Sequence, residues 1–326
     1  MTTTTMPLSK AITAGLRKAM EDDDKVVLIG EDIGKLGGVF RVTEGLQKDF
    51  GDQRVIDAPL AESGIVGTSI GMAIRGYRPV VEIQFDAFIF PAYDQIVTQV
   101  AKLHARTHGH ERIPMVIRVP YGGGIGSPEH HSESPEAVFA HHAGLRIISP
   151  STPHDAYWMI QDAIRSDDPV MFFEPKRRYW MRGEVDAAAR GTDTHTAQVV
   201  REGTDLTLLS YGPLMPTALD AVAAKAEEGA SIELIDLRSL SPIDFDTIEA
   251  SVKRTGRLVV AHEAAVFLGL GAEIAARITE RCFFHLEAPV LRVGGFHIPY
   301  PPSKLESHHL PDLDRILDAV DRALAY

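Results

Sequence analysis

Cysteine is nearly absent from this sequence, since Cys282 is the only one in 326 residues. One thiol can form neither an intrachain disulfide nor a thiolate cluster for zinc. No apolar run approaches the ~20 residues that a membrane-spanning helix needs. Basic residues are also scarce, with 33 Lys plus Arg against 45 Asp plus Glu and a net charge of −12. The negative net charge and the lack of a long apolar run argue against nucleic acids and membranes as partners. The N-terminal residues lack a targeting pattern, so we expect a cytoplasmic protein.

Phosphate-binding signatures are missing as well. No G-x-x-x-x-G-K-[ST] motif occurs, so the sequence has no Walker loop. The run FLGLGAEIAARI (267–278) places two glycines before a helical pattern but lacks the third glycine of the dinucleotide fingerprint. A nicotinamide-dependent dehydrogenase therefore stays a weaker alternative.

The first half of the chain alternates strand-like and helical patterns. The strand-like runs are short, apolar and bounded by Gly, Pro or Asp, at residues 25–30, 78–85, 113–119, 144–150 and 168–175. Helical periodicity predicts helices at residues 8–20, 90–106 and 153–166. This alternation indicates an α/β fold with right-handed β-α-β units in a doubly wound, mostly parallel sheet.

The composition changes between about residues 183 and 204, where the residues are small and polar and show no periodicity. We therefore predict a first domain over residues 1–185, a linker over 186–204 and a second, smaller α/β domain over 205–326. Strand-like runs resume there at residues 205–212, 231–239, 256–263 and 288–295.

The segment PLAESGIVGTSIGMAIRG (59–76) sets Glu62 at the start of a glycine-containing helical pattern. Gly64, Gly67 and Gly71 share one helical face, and each interior glycine costs about 1 kcal/mol relative to alanine. We expect a ligand or another backbone to approach that face closely, with Glu62 beside it. The alternative is that Glu62 only complements the helix dipole, an interaction worth about 0.3–1 kcal/mol.

A glycine-rich loop follows the third strand-like run, in YGGGIGSPEHHSESPEAVFAHH (121–142). Its glycines permit positive φ and close approach to a bound molecule, and Ser134-Pro135 predicts the start of a helix. His131 could act on a ligand from this position, or it could be a solvated loop residue, which is our interpretation of His130. Four histidines lie in this segment, but their spacing matches no zinc motif.

Several motifs together resemble one family. They are GEDIGKLGGVFRVTEGL (30–46), PLAESGIVG (59–67), EIQFDAFIFPAYDQI (82–96), HSESPEAVFAH (131–141), LIDLRSLSPID (234–244) and PYPPSKLE (299–306). The family is the β subunit of the thiamine-diphosphate-dependent component of 2-oxo-acid dehydrogenase complexes. The resemblance implies a transketolase-like pyrimidine-binding domain followed by a smaller transketolase C-terminal domain.

The same resemblance implies roles for four side chains. Glu62 would hydrogen-bond a ring nitrogen of the cofactor's aminopyrimidine and favour the imino tautomer. Phe88 would stack on that ring, where many relatives carry tyrosine. His131 would orient intermediates and supply a proton during acyl transfer to lipoyl. Glu31 would lie near the cofactor, with a surface role as its alternative.

Further expectations concern ions and partner chains. The resemblance implies a potassium-like cation held by backbone carbonyls, which by position are those of Ile113, Met115, Val116, Ala163, Ser166 and Asp168. The sequence lacks the G-D-G motif that holds Mg²⁺ and diphosphate in thiamine enzymes. The resemblance therefore implies an α subunit that supplies this half of the site, in an α2β2 heterotetramer that serves a lipoyl-bearing acyltransferase.

The resemblance leaves the substrate less defined. The motif H-S-x-S-P-E-A followed by V-F-A-H resembles members that act on branched-chain 2-oxo acids, of the 3-methyl-2-oxobutanoate dehydrogenase type. A pyruvate dehydrogenase β subunit is the main alternative, and a non-catalytic assembly subunit is another.

Overall fold

The computed structural model describes residues 3–326 and divides them into two compact units. Unit 1 contains residues 3–121 and 138–194, and unit 2 contains residues 122–137 and 195–326. The glycine-rich loop that follows the third predicted strand therefore belongs to unit 2. The first domain predicted over residues 1–185 includes this loop, so the two divisions differ here.

Unit 1 is built on a parallel sheet. Its strands are β1 Thr3–Pro7, β2 Val26–Gly30, β3 Val55–Asp57, β4 Arg78–Glu82, β5 Val116–Tyr121, β6 Arg146–Ile148, β7 Val170–Pro175 and β8 Arg182–Asp186. Six of them form the order β6-β7-β5-β4-β2-β3, with every neighbouring pair parallel. Strands β1 and β8 pair separately and antiparallel. The predicted doubly wound, mostly parallel architecture is confirmed.

Helices of unit 1 connect these strands. They are α1 Leu8–Asp22, α2 Leu46–Phe50, α3 Glu62–Ile74, α4 Leu103–Arg106, α5 Glu136–Ala140, which crosses the division between the units, and α6 Pro153–Arg165. Helices α1 and α6 share one core cluster with strands β2, β4, β5 and β7. That core fixes the strands whose carboxyl ends carry the candidate site.

The single helix predicted at residues 90–106 is wrong. The chain instead forms a 3₁₀ segment at Asp86–Ala92, a π-helical segment at Gln95–Val100 and the short α4. Pro91 lies inside the 3₁₀ segment and has no backbone N–H to continue an α-helical ladder. Periodicity located the apolar face correctly, since Ile96, Val97 and Val100 are buried, but it could not reveal the break.

Unit 2 has its own sheet and core. Its strands are β9 Gln198–Arg201, β10 Leu206–Ser210, β11 Ile232–Asp236, β12 Ser239–Ser241, β13 Leu258–Ala265 and β14 Leu291–Gly295. Its helices are α7 Met215–Glu227, α8 Phe245–Thr255, α9 Leu270–Cys282, α10 Glu306–His309 and α11 Leu313–Leu324. The order β14-β13-β10-β11 is parallel, and β9 joins its edge antiparallel from within the predicted linker.

Local sequence explains where several helices begin. The side chain of Thr152 accepts a hydrogen bond from the backbone N–H of Asp155 and caps α6, with Pro153 at the first position. Asp244 and Asp312 cap α8 and α11 in the same way. Within residues 3–326, no helix combines the length and the apolar character required to cross a bilayer.

Candidate active site

Glu62 is the first residue of α3, which begins five residues after the carboxyl end of the parallel strand β3. Its side chain lies on the same helical face as Ile65, Val66 and Ser69, and Glu62 is only 9% exposed. In the described part of the chain, no group donates a hydrogen bond to this carboxylate. A buried carboxylate is costly unless it is hydrogen-bonded, so the donor to Glu62 is supplied by water or by a group outside the described residues.

The glycines of α3 do not surround Glu62, which corrects the expectation that it lies beside the glycine stripe. At 100° per residue, Gly64, Gly67 and Gly71 point roughly away from Glu62, and all three are exposed. A methyl group added at Gly67 or Gly71 would meet no atom within 4 Å. The close approach that these glycines predict is therefore not made within residues 3–326.

Glu31 directly follows β2 and is half-buried. Burial raises the pKa of its carboxyl, and the negative charges of Asp32 and Glu62 raise it further. Glu31 follows β2 and Glu62 follows β3, so both carboxyl groups lie beyond the carboxyl ends of neighbouring strands of the sheet. Glu31 also has no hydrogen-bond partner among the described residues.

Phe88 lies in the 3₁₀ segment that follows β4. Its ring packs edge-on against Phe85, with centroids 6.0 Å apart, and Phe85 packs in the same way against Phe40 at 5.4 Å. The segment begins at Asp86, which is fully buried and accepts a hydrogen bond from Lys176 Nζ at 2.7 Å. This buried ion pair holds the start of the segment that carries Phe88.

A second buried charge cluster joins the central strands. Arg118 on β5 donates to Glu174 on β7 through Nε and Nη2, at 2.6 and 3.1 Å, and to Glu82 on β4 through Nη1 at 2.5 Å. Tyr179 also donates to Glu174, at 2.5 Å. Sequence reasoning missed this cluster, although each of three apolar runs contains one of its charged members: Glu82, Arg118 and Glu174. Such a residue in a buried strand must have a charged or polar partner nearby.

His131 belongs to unit 2, in the 3₁₀ turn Glu129–His131 of the glycine-rich loop. Its Nδ1 lies 2.8 Å from the carbonyl oxygen of His130, and the two imidazole rings are 4.2 Å apart. His130 itself is exposed, as expected. No group of three or more His, Cys, Asp or Glu side chains in residues 3–326 is arranged to hold a metal ion.

The glycines of this loop are approached by this chain's own side chains. Gly122, Gly124 and Gly126 have positive φ, as predicted. A methyl group at Gly123 would lie 1.7 Å from the hydroxyl of Tyr300, so only glycine fits there. The glycines therefore serve contacts inside unit 2, a role that the sequence alone did not reveal.

The carbonyls predicted to bind a cation lie at the start of β5 and the end of α6. Several already accept hydrogen bonds: Met115 from the N–H of Val170 at 2.9 Å, and Ser166 from Arg78 Nη1 at 3.0 Å. The hydroxyl of Ser166 donates to the carbonyl of Asp168 at 3.0 Å. A carbonyl oxygen has two lone pairs, so these bonds leave room for a cation contact. The site of Ile113, Met115, Val116, Ala163, Ser166 and Asp168 stays a prediction.

Comparisons with family models match nearly the whole chain. Residues 4–181 match the transketolase pyrimidine-binding domain, and residues 195–316 match the transketolase C-terminal domain. A split-gene transketolase described as an inactive β4 tetramer superposes with a TM-score of 0.81 over 98% of both chains. It is only 21% identical to this chain, so it supports the fold alone.

Curated relatives are similar along their full length. The Leifsonia xyli protein named pyruvate dehydrogenase E1 component subunit beta is 60% identical, covering 98% of this chain and 95% of the relative. A Mycobacterium tuberculosis 3-methyl-2-oxobutanoate dehydrogenase subunit beta is 52% identical over 99% and 93%. A Pseudomonas aeruginosa 2-oxoisovalerate dehydrogenase subunit beta is 44% identical over 99% and 96%.

Proposed function

Because this chain belongs to the family of β subunits of 2-oxo-acid dehydrogenase E1 components, we propose that it acts in thiamine-diphosphate-dependent oxidative decarboxylation of a branched-chain 2-oxo acid. The acyl group then passes to a lipoyl group of an acyltransferase. The observation that carries the proposal is the buried Glu62 carboxylate, which has no donor among residues 3–326. A pyrimidine ring nitrogen that carries a proton is a donor that suits it.

The residues of unit 1 fit the pyrimidine half of the cofactor. Glu62 would share a proton with a pyrimidine ring nitrogen, so that the carboxylate accepts from the protonated nitrogen and the neutral carboxyl group donates to the unprotonated one. Phe88 would supply an aromatic face, which needs no hydroxyl group. Glu31, whose raised pKa favours its neutral form, would stand next to Glu62. When bound, thiamine diphosphate supplies the electron sink for cleavage of the carbon–carbon bond of the 2-oxo acid.

His131 would serve the second half of the reaction. Its imidazole can orient the acyl group and supply a proton as that group moves to lipoyl, a general acid role that histidine often serves. The short loop turn that carries it leaves the ring half-buried, accessible to a large substrate such as a lipoyl arm.

The diphosphate half of the cofactor requires another chain. The sequence has no G-D-G motif, and residues 3–326 contain no cluster of acidic or histidine side chains for Mg²⁺. We therefore propose that a cytoplasmic α subunit holds Mg²⁺ and diphosphate in an α2β2 assembly. The six backbone carbonyls described above would bind K⁺ in this chain.

Pyruvate is the second candidate substrate, because the 60% identical relative is named a pyruvate dehydrogenase subunit. The H-S-x-S-P-E-A motif and the relatives named for 3-methyl-2-oxobutanoate and 2-oxoisovalerate favour the branched-chain acids. Decarboxylation of 3-methyl-2-oxobutanoate and of pyruvate should be compared in the enzyme co-expressed with its α subunit. A kcat/KM higher for pyruvate would reverse our choice.

Glu62→Gln tests the central contact, because the amide keeps the shape of the side chain but cannot exchange a proton. We expect decarboxylation to fall by at least about a hundredfold, as for loss of a general acid–base group, while the subunits still assemble. Glu202→Gln is the control, because Glu202 is exposed. Wild-type turnover in Glu62→Gln would return Glu62 to the role of a helix-dipole residue.

A further inference from the structure

The loop that carries His131 is closed at its base. The backbone N–H of Gly122 donates to the carbonyl oxygen of Glu133 at 2.8 Å, so the intervening residues form a compact loop. Inside it, the hydroxyl of Ser132 donates to the carbonyl of Ser127 at 3.2 Å. These bonds shape the loop, but they do not attach it to the rest of unit 2.

Two carboxylates of unit 2 make that attachment. The backbone N–H of Gly123 donates to Glu263 Oε1 at 2.5 Å, and those of Gly124 and Gly126 donate to the two oxygens of Glu306 at 2.7 and 3.1 Å. Both glutamates are buried, Glu306 to 8% exposure. Hydrogen bonds to an ionised acceptor are about twice as strong as neutral ones.

Glu306 depends on the loop as much as the loop depends on Glu306. In the described residues this carboxylate forms no ion pair, and its remaining donor is the hydroxyl of Tyr300 at 2.7 Å. Burial and the bond to Glu306 raise the pKa of Tyr300, so it stays a donor. A buried charge without a counterion is stable only while its donors stay in place. Displacing the loop would remove two of the three donors.

The far side of the loop is also fixed within unit 2. Tyr211 follows β10 and donates its hydroxyl proton to Glu136 Oε1 at 2.8 Å, and both residues are buried. His131 thus lies between two anchors, one on the glycines before it and one on the helix start after it.

From this arrangement we propose that Glu306, with Glu263 and Tyr211, is a positioning residue for His131. The proposal rests on the function proposed above, since it assigns the acyl-transfer step to His131. It gives the PYPPSKLE segment of the second domain a task in catalysis: its glutamate fixes a loop whose histidine acts on the acyl group. These residues touch the loop backbone and not the substrate.

Glu306→Gln in the α/β enzyme tests the proposal, because it removes the charge and turns one acceptor into a donor that faces an N–H group. We expect the rate of lipoyl acylation to fall about tenfold or more, as for loss of a charge-assisted hydrogen bond. Decarboxylation measured with an artificial electron acceptor should change little. Glu280→Gln, an exposed carboxylate on α9, is the matched control.

A double-mutant cycle separates positioning from general damage. In a His131→Ala background, Glu306→Gln should cause no further loss of acylation, because its effect acts through that histidine. Multiplicative losses, or equal losses in both assays, would overturn the proposal. Tyr211→Phe provides a second variant at the other anchor, should Glu306→Gln fail to fold, and the same pattern is expected of it.

Hydrogen exchange keeps the test independent of the assigned reaction. In Glu306→Gln, the amides of residues 122–133 should exchange faster than in the wild type, with other segments of unit 2 unchanged. If the wild-type enzyme decarboxylates no 2-oxo acid, the proposed function fails, and exchange alone then decides whether Glu306 anchors the loop. Unchanged exchange in this segment would refute the anchor.

Discussion

Glu82 and Glu174 share one arginine, and the structure predicts unequal consequences when each is neutralised. Glu174 takes two hydrogen bonds from Arg118 and one from Tyr179, whereas Glu82 takes a single bond from Arg118. All four side chains are buried. Burial is also the main cause that raises the pKa of Glu82, and the charge of Glu174 adds to it, against the opposing effect of Arg118.

Glu174→Gln should therefore destabilise the fold by about 3–5 kcal/mol, because it breaks the bidentate pair that compensates the buried guanidinium. Glu82→Gln should cost less than about 1.5 kcal/mol, because Arg118 keeps Glu174 and the amide oxygen can still accept one bond. Urea denaturation followed by circular dichroism measures both. Equal losses of unfolding free energy in the two variants would refute the inference that Glu174 is the main partner of Arg118.

The pH dependence provides a second check on Glu82. Its pKa is raised above the ordinary glutamate value of 4.5, so the folded protein retains a proton that the unfolded chain has lost. The free energy of unfolding of the wild type should therefore fall as pH rises from 4.5 through the pKa of Glu82 in the folded protein. Glu82→Gln lacks this titrating group, so its stability should not show this fall. The advantage of the wild type over Glu82→Gln should thus shrink with rising pH.

Three more predictions concern Gly71, Gly144 and His262. Gly71→Ala should stabilise the chain by up to about 1 kcal/mol, because a methyl group there meets no atom and alanine favours the helix. Gly144→Ala should destabilise the chain, because the φ of Gly144 is +103° and the added methyl group would lie 1.9 Å from the carbonyl oxygen of Ala101. The thermal unfolding midpoints of the Gly71→Ala and Gly144→Ala variants test both predictions. Burial lowers the pKa of His262 to about 4, so stability should fall as pH drops from 6.5 toward 4, and His262→Gln should remove that slope.

Much of the fold could be predicted because parallel strands buried on both faces appear as continuous apolar runs. The runs at residues 78–85 and 168–175 correspond to β4 and β7. The short β3 was not predicted, because Val55 and Ile56 are its only apolar residues and charged residues flank them. Strand β9 lies in a polar segment and is held by pairing with β11, which only the tertiary structure reveals.

The candidate site also has parts that the sequence could predict and parts that it could not. Glu62 and His131 could be proposed from motifs, because their chemical roles require particular side chains at particular positions. The 100° rotation per helical residue already implies that Glu62 and the glycines of α3 lie on opposite faces of the helix. The expectation was wrong because Glu62 is close to these glycines in sequence but not on the same face. The Asp86–Lys176 ion pair joins residues 90 positions apart in sequence, so no local sequence pattern predicts it.

The glycine-rich loop shows why a local pattern can identify a conformation without identifying its cause. Positive φ and close approach were correct inferences from GGGIG, yet the approaching groups are Glu263, Glu306 and Tyr300, more than 130 residues away in sequence. A glycine allows the backbone to present its N–H groups to any acceptor, whether a ligand or a carboxylate of the same chain. Here the acceptors are buried and charged, so removing them should loosen the loop more than any change to its solvent-facing side chains. The glycines and the two glutamates therefore form one hydrogen-bonded unit, and we expect a substitution in either to change the position of His131.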